Sequence, residues 1–373
     1  GLRRVGKTTL LYQCIEQLLL ANMPPTHIVY FNLDKEVRDV QEILDAYSTK
    51  TLVNWKEEKI TVLLDEISKL KDWARHVKLI YDAFPNIHFL VSSSSSTNLE
   101  HEALQHLGGR YFLKTILPLS FREYLSLKGK KELLENSSLW EKEIVSECNL
   151  YMSRTFPEII EWTDDLLIKE YLSSTMIDKI VKADIPEKFK NVHPELLKTL
   201  LNLILSEPGI VVEYDALAKN LGVSKRTIYL HLHYLEFSYL IRRVKNYRVS
   251  TLSSSRKRQR AYAYWWSLAF PFIKKQDLLI ENAVGSTINS EYYWREGNKE
   301  VDFLKIKGKD ILPIEVKNKE VTKSDDVHSM IYFLEKYNRE KGIIVTSGEE
   351  RSMMVGRKHI VFVPLWKFFL EQE

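Results

Sequence analysis

The chain opens on Gly1-Leu-Arg-Arg-Val-Gly6-Lys7-Thr8-Thr9, two glycines, a lysine and a hydroxyl at the spacing G-x-x-x-x-G-K-[ST]. That spacing suits phosphate chemistry. The glycines let successive backbone N–H groups turn inward, Lys7 brings a point charge to the β- and γ-phosphates, and Thr8 offers a hydroxyl to Mg²⁺. Gly1, Arg3, Gly6, Lys7, Thr8 and Thr9 are the candidate nucleotide contacts. A second pair, Asp65-Glu66, ends the apolar run Ile60–Asp65. Such a pair is more often a cap or turn. Behind a phosphate loop, however, Asp65 would join the Mg²⁺ shell and Glu66 would orient and deprotonate the attacking water. A third set lies far downstream. Glu300-Val-Asp302-Phe-Leu-Lys-Ile and Ile311-Leu-Pro-Ile-Glu315-Val-Lys317 are strand-like runs joined by Lys307-Gly-Lys-Asp. Alternation puts Glu315 and Lys317 on one face, with Asp302 beside them if the runs pair. An Asp, a Glu and a Lys so placed would hold a second Mg²⁺ or a Mn²⁺, with Lys317 offsetting charge at a phosphate. As a bare pattern, a surface salt bridge explains the same residues.

Elements must position these groups. Thr9–Ala21 carries Leu10, Leu11, Cys14, Ile15, Leu18 and Leu19 at helical spacing, so the phosphate loop should open a helix. Four strand-like runs follow, Ile28–Leu33, Ile60–Asp65, Ile87–Val91 and Tyr111–Ile116. Strands alternating with helices predict an α/β fold: a mostly parallel, helix-covered sheet with ligands at the carboxyl ends of its strands. The chain begins inside its first motif and without Met, so the natural protein is expected to start earlier.

The phosphate loop, the Asp65-Glu66 strand end and the polar end Val91-Ser92-Ser93-Ser94 resemble the additional-strand branch of P-loop NTPases. Leu107-Gly-Gly-Arg110 and Leu117-Pro-Leu-Ser-Phe-Arg-Glu-Tyr124 narrow this to archaeal and bacterial AAA-type ATPases with a C-terminal nuclease-like domain, the DUF4143/DUF234 type. The resemblance spans nearly the whole chain. It implies ATP and Mg²⁺ as cofactors and places the Ser92 strand between the phosphate-loop strand and the Asp65 strand. It also implies Ser92 or Ser94 as γ-phosphate sensor, and Arg110 as a charge stabiliser at a subunit interface or a member of a structural ion pair. The family's usual Thr-Gly-Ser-Ser is Ser92-Ser-Ser-Ser here.

Residues 128–190 read as helical, a lid beside the ATP core. Glu195–Leu205 is an apolar-periodic helix. Tyr214–Gly222 and Val223–Leu235 then form a helix, a Gly turn and a Ser224-capped second helix, a helix-turn-helix. Lys225, Arg226, Thr227 and Tyr229 open the second helix, where a recognition helix meets a groove. Tyr239–Val244 and Tyr247–Val249 are the expected wing. Eleven Lys/Arg and one acid, Glu236, lie between Lys219 and Arg260. This window carries +10 of a chain total of +4, leaving −6 elsewhere. Such a block, with Arg256, Lys257 and Arg258 at its end, favours a nucleic-acid partner, most simply DNA. Winged helices also dock proteins, and a homo-oligomer or a protein partner is the alternative. His231 and His233 have no ligand cluster and read as packing or surface residues.

The C-terminal strands look like the D…E-x-K signature of the PD-(D/E)xK nuclease superfamily, a restriction-endonuclease-like α/β fold. Glu281 in Asp277–Val284 matches that family's helical acid, and Tyr292-Tyr-Trp-Arg295 matches the ATPase family's version. The expected domains are an ATPase core at 1–127, a helical lid at 128–190, a winged helix at 191–255 and a nuclease-like domain at 256–373. Composition (45% hydrophobic, 28% charged) excludes disordered, collagen-like and disulfide-built chains. Ala261–Ile273, the longest mainly apolar stretch, is too short and broken to span a bilayer. With Cys14 and Cys148 alone and no signal peptide, a reduced cytoplasmic protein is expected.

Overall fold

A computed structural model describes residues 2–34, 37–93, 96–137, 139–248, 258–319, 327–371 of the chain. Two compact units divide it, Gly1–Leu117 and Pro118–Glu373.

The first unit is built on a parallel sheet of β1 (Ile28–Asn32), β2 (Ile60–Asp65) and β3 (Ile87–Val91), in the order β1-β2-β3. Strand β2 is central and reads as an unbroken apolar run because helices cover both faces; all six of its residues are buried. Around it lie α1 (Lys7–Leu20), α2 (Val40–Thr51), α3 (Trp73–Ala83) and α4 (Ser96–Leu107). Helix α3 turns Trp73, Ala74, Val77 and Ile80 inward, one stripe at helical spacing. Asp39 caps α2 by accepting the Glu42 N–H at 2.8 Å.

The expected fourth strand at Tyr111–Ile116 is absent; those residues are irregular. A strand needs a ladder partner, and β3 pairs only with β2 among the described residues. Phe112 is accordingly fully exposed.

In the second unit, α5 (Phe121–Leu127) starts on a capping box between Ser120 and Glu123. Short helices follow, including α6 (Glu132–Glu135), α7 (Glu141–Tyr151), α8 (Asp165–Glu170) and α9 (Ile185–Lys188), with π-helical turns at Tyr171–Ile177 and Ile180–Asp184. An aromatic cluster of Phe121, Tyr124, Tyr151, Trp266 and Phe369 ties this helical region to the C-terminal helix. The segment Tyr151–Glu158 works structurally: buried Arg154 donates to the Trp162 carbonyl at 2.7 Å and to Asp165 at 3.0 Å.

Next come α10 (Pro194–Ser206), β4 (Ile210–Val212), α11 (Tyr214–Leu221), α12 (Lys225–Phe237), β5 (Ile241–Asn246) and β6 (Gln259–Ala263). Helix α13 (Gln276–Thr287) leads into β7 (Tyr292–Glu296), β8 (Lys299–Lys307), β9 (Asp310–Lys317), α14 (His328–Lys336), β10 (Lys341–Thr346), β11 (Arg351–Val355), β12 (Lys358–Pro364) and α15 (Leu365–Glu371). The strands form one sheet among the described residues, ordered β11-β12-β10-β9-β8-β7-β5-β6-β4.

One sequence expectation changes here. The antiparallel partner of β5 is β6, which also pairs antiparallel with β4, while β7 pairs parallel with β5. Of the expected wing strand Tyr247–Val249, Val249 lies outside the described residues. Residues 118–127 pack with the second unit. Among the described residues, no helix is long and apolar enough to cross a membrane. Both cysteines are free thiols.

Candidate functional site

At the carboxyl end of β2 the phosphate-loop residues meet the acidic pair. Gly6 adopts φ 91° as it delivers the chain into α1, a left-handed conformation that glycine takes without a Cβ penalty. Thr8 Oγ1 then donates to Asp65 Oδ2 at 2.7 Å across 57 residues of sequence. Asp65 is 1% exposed, and its other oxygen accepts from Ser92 Oγ and from the Glu66 N–H at 3.2 Å. Glu66 follows β2 at φ 56°, a left-handed conformation costly for a residue with a side chain and characteristic of functional turns. Lys7 Nζ donates to the Leu2 carbonyl within its own loop at 2.6 Å. Burial brings the Lys7 ammonium down to about 8, helped by Arg3 and opposed by Glu66 and Asp65.

Lys7, Thr8, Asp65, Glu66 and Ser92 are thus gathered at one strand end, with Arg3 close enough to act on Lys7 electrostatically. Thr9 is exposed on α1. Gly1 and Ser94 lie outside the described residues. Arg110 forms an ion pair with Asp82 at 2.8 Å, the structural alternative weighed for it. Sequence reasoning missed Tyr30, whose hydroxyl donates to Asp65 Oδ2 at 3.2 Å and accepts from Tyr12. A polar-tipped aromatic in an otherwise apolar strand was the available signal. A hydroxyl bonded to a buried carboxylate beside a lysine is an oxygen donor set suited to Mg²⁺ and a nucleotide phosphate.

In the second unit, Gly222 at φ 65° closes α11, and Ser224 caps α12 by accepting the Thr227 N–H at 3.0 Å. Arg226 is exposed at the start of α12, and Tyr229 is 52% exposed. Lys225 is engaged with Asp215 at 2.8 Å. The basic window is not a free polycation. Arg243 pairs with Glu236, Arg260 pairs with Glu300, and Arg242 has its Nε and Nη2 buried without partners. Burial lowers Arg242 to about 10. Arg258 is exposed; Arg256 and Lys257 lie outside the described residues. His231 is packing, as expected: its Nδ1 bonds the Thr227 carbonyl at 2.8 Å and its Nε2 accepts the His193 N–H at 3.1 Å.

The C-terminal carboxylates share one region. Strands β8 and β9 form an antiparallel hairpin in which Asp302 accepts the Val316 N–H at 2.8 Å and Lys317 Nζ donates to Glu315 Oε1 at 2.8 Å. From α13, Glu281 accepts from the Tyr262 hydroxyl at 2.7 Å. Burial, then the neighbouring Asp302, pushes Glu281 up to about 8 and raises Glu315 well above the usual carboxylate range. Asp302 is raised by burial, against the pull of the Val316 N–H and Lys317. Glu315 Oε2 is buried without a partner. Yet among the described residues no group of three His, Cys, Asp or Glu side chains is arranged to hold a metal ion. The expected metal set Glu281, Asp302 and Glu315 lies among these mutually interacting carboxylates. The sequence reading also missed Arg260, Tyr262 and Glu300, which contact or face these carboxylates. In the sequence Arg260 counts only as the last cation of the basic window.

Three stretches of the chain match known families. Residues 1–125 match the AAA domain family, residues 151–269 a domain of unknown function, DUF8612, and residues 276–368 another, DUF4143. Uncharacterized protein MJ1544 of Methanocaldococcus jannaschii is 26% identical over 99% of this chain and 87% of its own length. An uncharacterized protein of Haemophilus influenzae is 24% identical over 98% of this chain and 92% of its own. With an AAA domain at its N-terminus and a DUF4143 domain at its C-terminus, the chain matches an AAA-type ATPase carrying a DUF4143-type C-terminal domain.

Proposed function

We propose that the chain binds and hydrolyses Mg²⁺-ATP at the α1–β2 site and uses its nucleotide state to govern engagement of DNA by the α11–α12 region. The Thr8–Asp65 bond carries the first half, since it joins the loop hydroxyl and the strand-end carboxylate that would share a Mg²⁺. Lys7 would bind the β- and γ-phosphates, with backbone N–H groups at the start of α1 around them. Glu66 would take the proton of the attacking water, and Ser92 would keep Asp65 oriented. When bound, the ion would neutralise phosphate charge. Full-length protein should hydrolyse ATP, and Glu66→Gln should lower turnover on the order of 10²-fold or more while ATP still binds. Equal turnover in Glu66→Gln would defeat the base assignment.

For DNA, the supporting observation is the order helix, strand, helix, helix, strand, strand, with ladder order β4-β6-β5 and an exposed Arg226 at the capped start of α12. That order supports a winged-helix reading of the region. Because several window cations are paired internally, contact with phosphate should involve few charges. Affinity for a labelled duplex should fall with salt and drop on charge removal at Arg226, Arg256, Lys257 and Arg258. Salt-insensitive association with a protein partner would overturn this assignment.

The β8–β9 hairpin with α13 supports a nuclease-like fold, and the burial that disfavours charge on Glu281 and Glu315 supports a second reading, a nucleotide-gated switch whose C-terminal domain serves as a platform. Plasmid cleavage with Mg²⁺ or Mn²⁺ that is lost in Lys317→Ala would restore the nuclease reading.

A further inference from the structure

Four carboxylates, Glu281, Glu300, Asp302 and Glu315, act on one another electrostatically in the second unit. Among the described residues three cations answer them, and one of these, Arg295, reaches only the outer carboxylate Glu300, at 3.6 Å. Lys317 serves Glu315. The third comes from outside the hairpin: Arg260, on β6, donates to Glu300 and lies 3.7 Å from Glu281 Oε1. Its side chain is only 12% exposed and its guanidinium carbon lies 4.8 Å from the Tyr293 ring centroid. Two residues along the same strand, the Tyr262 hydroxyl donates to that same Glu281 oxygen. Strand β6 therefore presents a cation and a donor, at i and i+2, to one carboxylate. Burial and mutual repulsion press these carboxylates toward the neutral form, and Arg260, a guanidinium that keeps its proton, opposes that shift at Glu281 and Asp302.

We propose that Arg260 is the built-in counter-ion of this cluster, supplying the positive charge that a divalent cation would otherwise supply and so keeping Mg²⁺ and Mn²⁺ out. A second cation entering beside the guanidinium would meet its repulsion in a poorly solvated site. Glu315 Oε2, buried and unpartnered, is the acceptor that a metal would take up once Arg260 is gone. Because Arg260 pairs with Val211 and Val244 in the β4-β6-β5 ladder, displacement of that ladder carries the counter-ion with it. This inference goes beyond the ATPase reading and stands whether or not ATP is hydrolysed.

The test is Mn²⁺ titration of the full chain, followed by the free-ion electron paramagnetic resonance signal. An Asp65→Asn background removes the nucleotide-site carboxylate. With Arg260 intact, Asp302→Asn should change nothing. Arg260→Gln should create a Mn²⁺ site at least about tenfold tighter, abolished again by Asp302→Asn, and Arg260→Lys should not create it. Arg260→Met, which keeps the packing against Tyr293, serves if Arg260→Gln folds poorly. A Mn²⁺ site sensitive to Asp302→Asn with Arg260 intact overturns the proposal without any Arg260 variant. A folded Arg260→Gln or Arg260→Met protein that gains no site overturns it equally.

Discussion

In the proposed site Lys7 would have to be desolvated to meet a phosphate, and its burial already brings its ammonium down to about 8. Below that pH the group is charged and attracts ATP; above it, binding must first restore the proton. ATP affinity of the nucleotide-free protein should therefore weaken as pH rises above about 8, by up to about tenfold per pH unit. Lys7→Arg, whose guanidinium stays protonated, should flatten the dependence even if it binds less tightly. Calorimetric titration between pH 7 and 10 decides this, and a flat wild-type profile would show that Lys7 keeps its charge. Lys7, Thr8 and Asp65 were legible from sequence because phosphate chemistry fixes residue types at fixed spacing. Tyr30 and Arg260 were not, because their roles depend on which strand they face across the fold.

Helices α10 and α12 meet through His231, 2% exposed and stacked against His193 with ring centroids 5.6 Å apart; the Tyr234 ring packs on it at the same distance. Both nitrogens are used, one bonded to the Thr227 carbonyl and one accepting the backbone N–H at the start of α10. That pattern requires the neutral ring, and burial holds its pKa below 6.5. The folded state thus binds the proton less readily than the unfolded chain. Its stabilising contribution is complete above pH 6.5 and is lost as pH falls through the depressed folded value. The loss is at most about 1.4 kcal/mol per pH unit. Protection factors of α10 and α12 amides, corrected for the intrinsic pH dependence of exchange, should fall accordingly between pH 7 and 5, and less so in His231→Gln. Unchanged protection would remove His231 as the pH-sensitive joint. At this scale the sequence revealed β1, β2, β3 and the α11–α12 turn because hydrophobic period and capping are local. It failed at Tyr111–Ile116, where alternation was present and a pairing strand was not, and at β6, whose partners are β5 and β4 on the far side of a connection. Strand propensity proposes; the ladder decides.

Two compact units and one nine-stranded sheet confined to the second of them, counted over the described residues, give the molecule separable stabilities. Ligand binding stabilises only the state that binds, so Mg²⁺-ATP acts first on the unit holding Lys7 and Asp65. At a hundred times its Kd, ATP adds about 2.7 kcal/mol, on the order of 10 °C for a unit of that size. Scanning calorimetry of the full chain should show two transitions, with the one assigned to the first unit moving by that order and standing still in Lys7→Ala. The second transition carries the functional question. If nucleotide state governs α12, coupling of about 1–3 kcal/mol must reach the second unit and move its transition by a few degrees in either direction. A shift of zero there, with the first transition responding, would leave an ATP site with no thermodynamic line to the second unit, and the gating half of the proposed function would fall while the ATPase half stood.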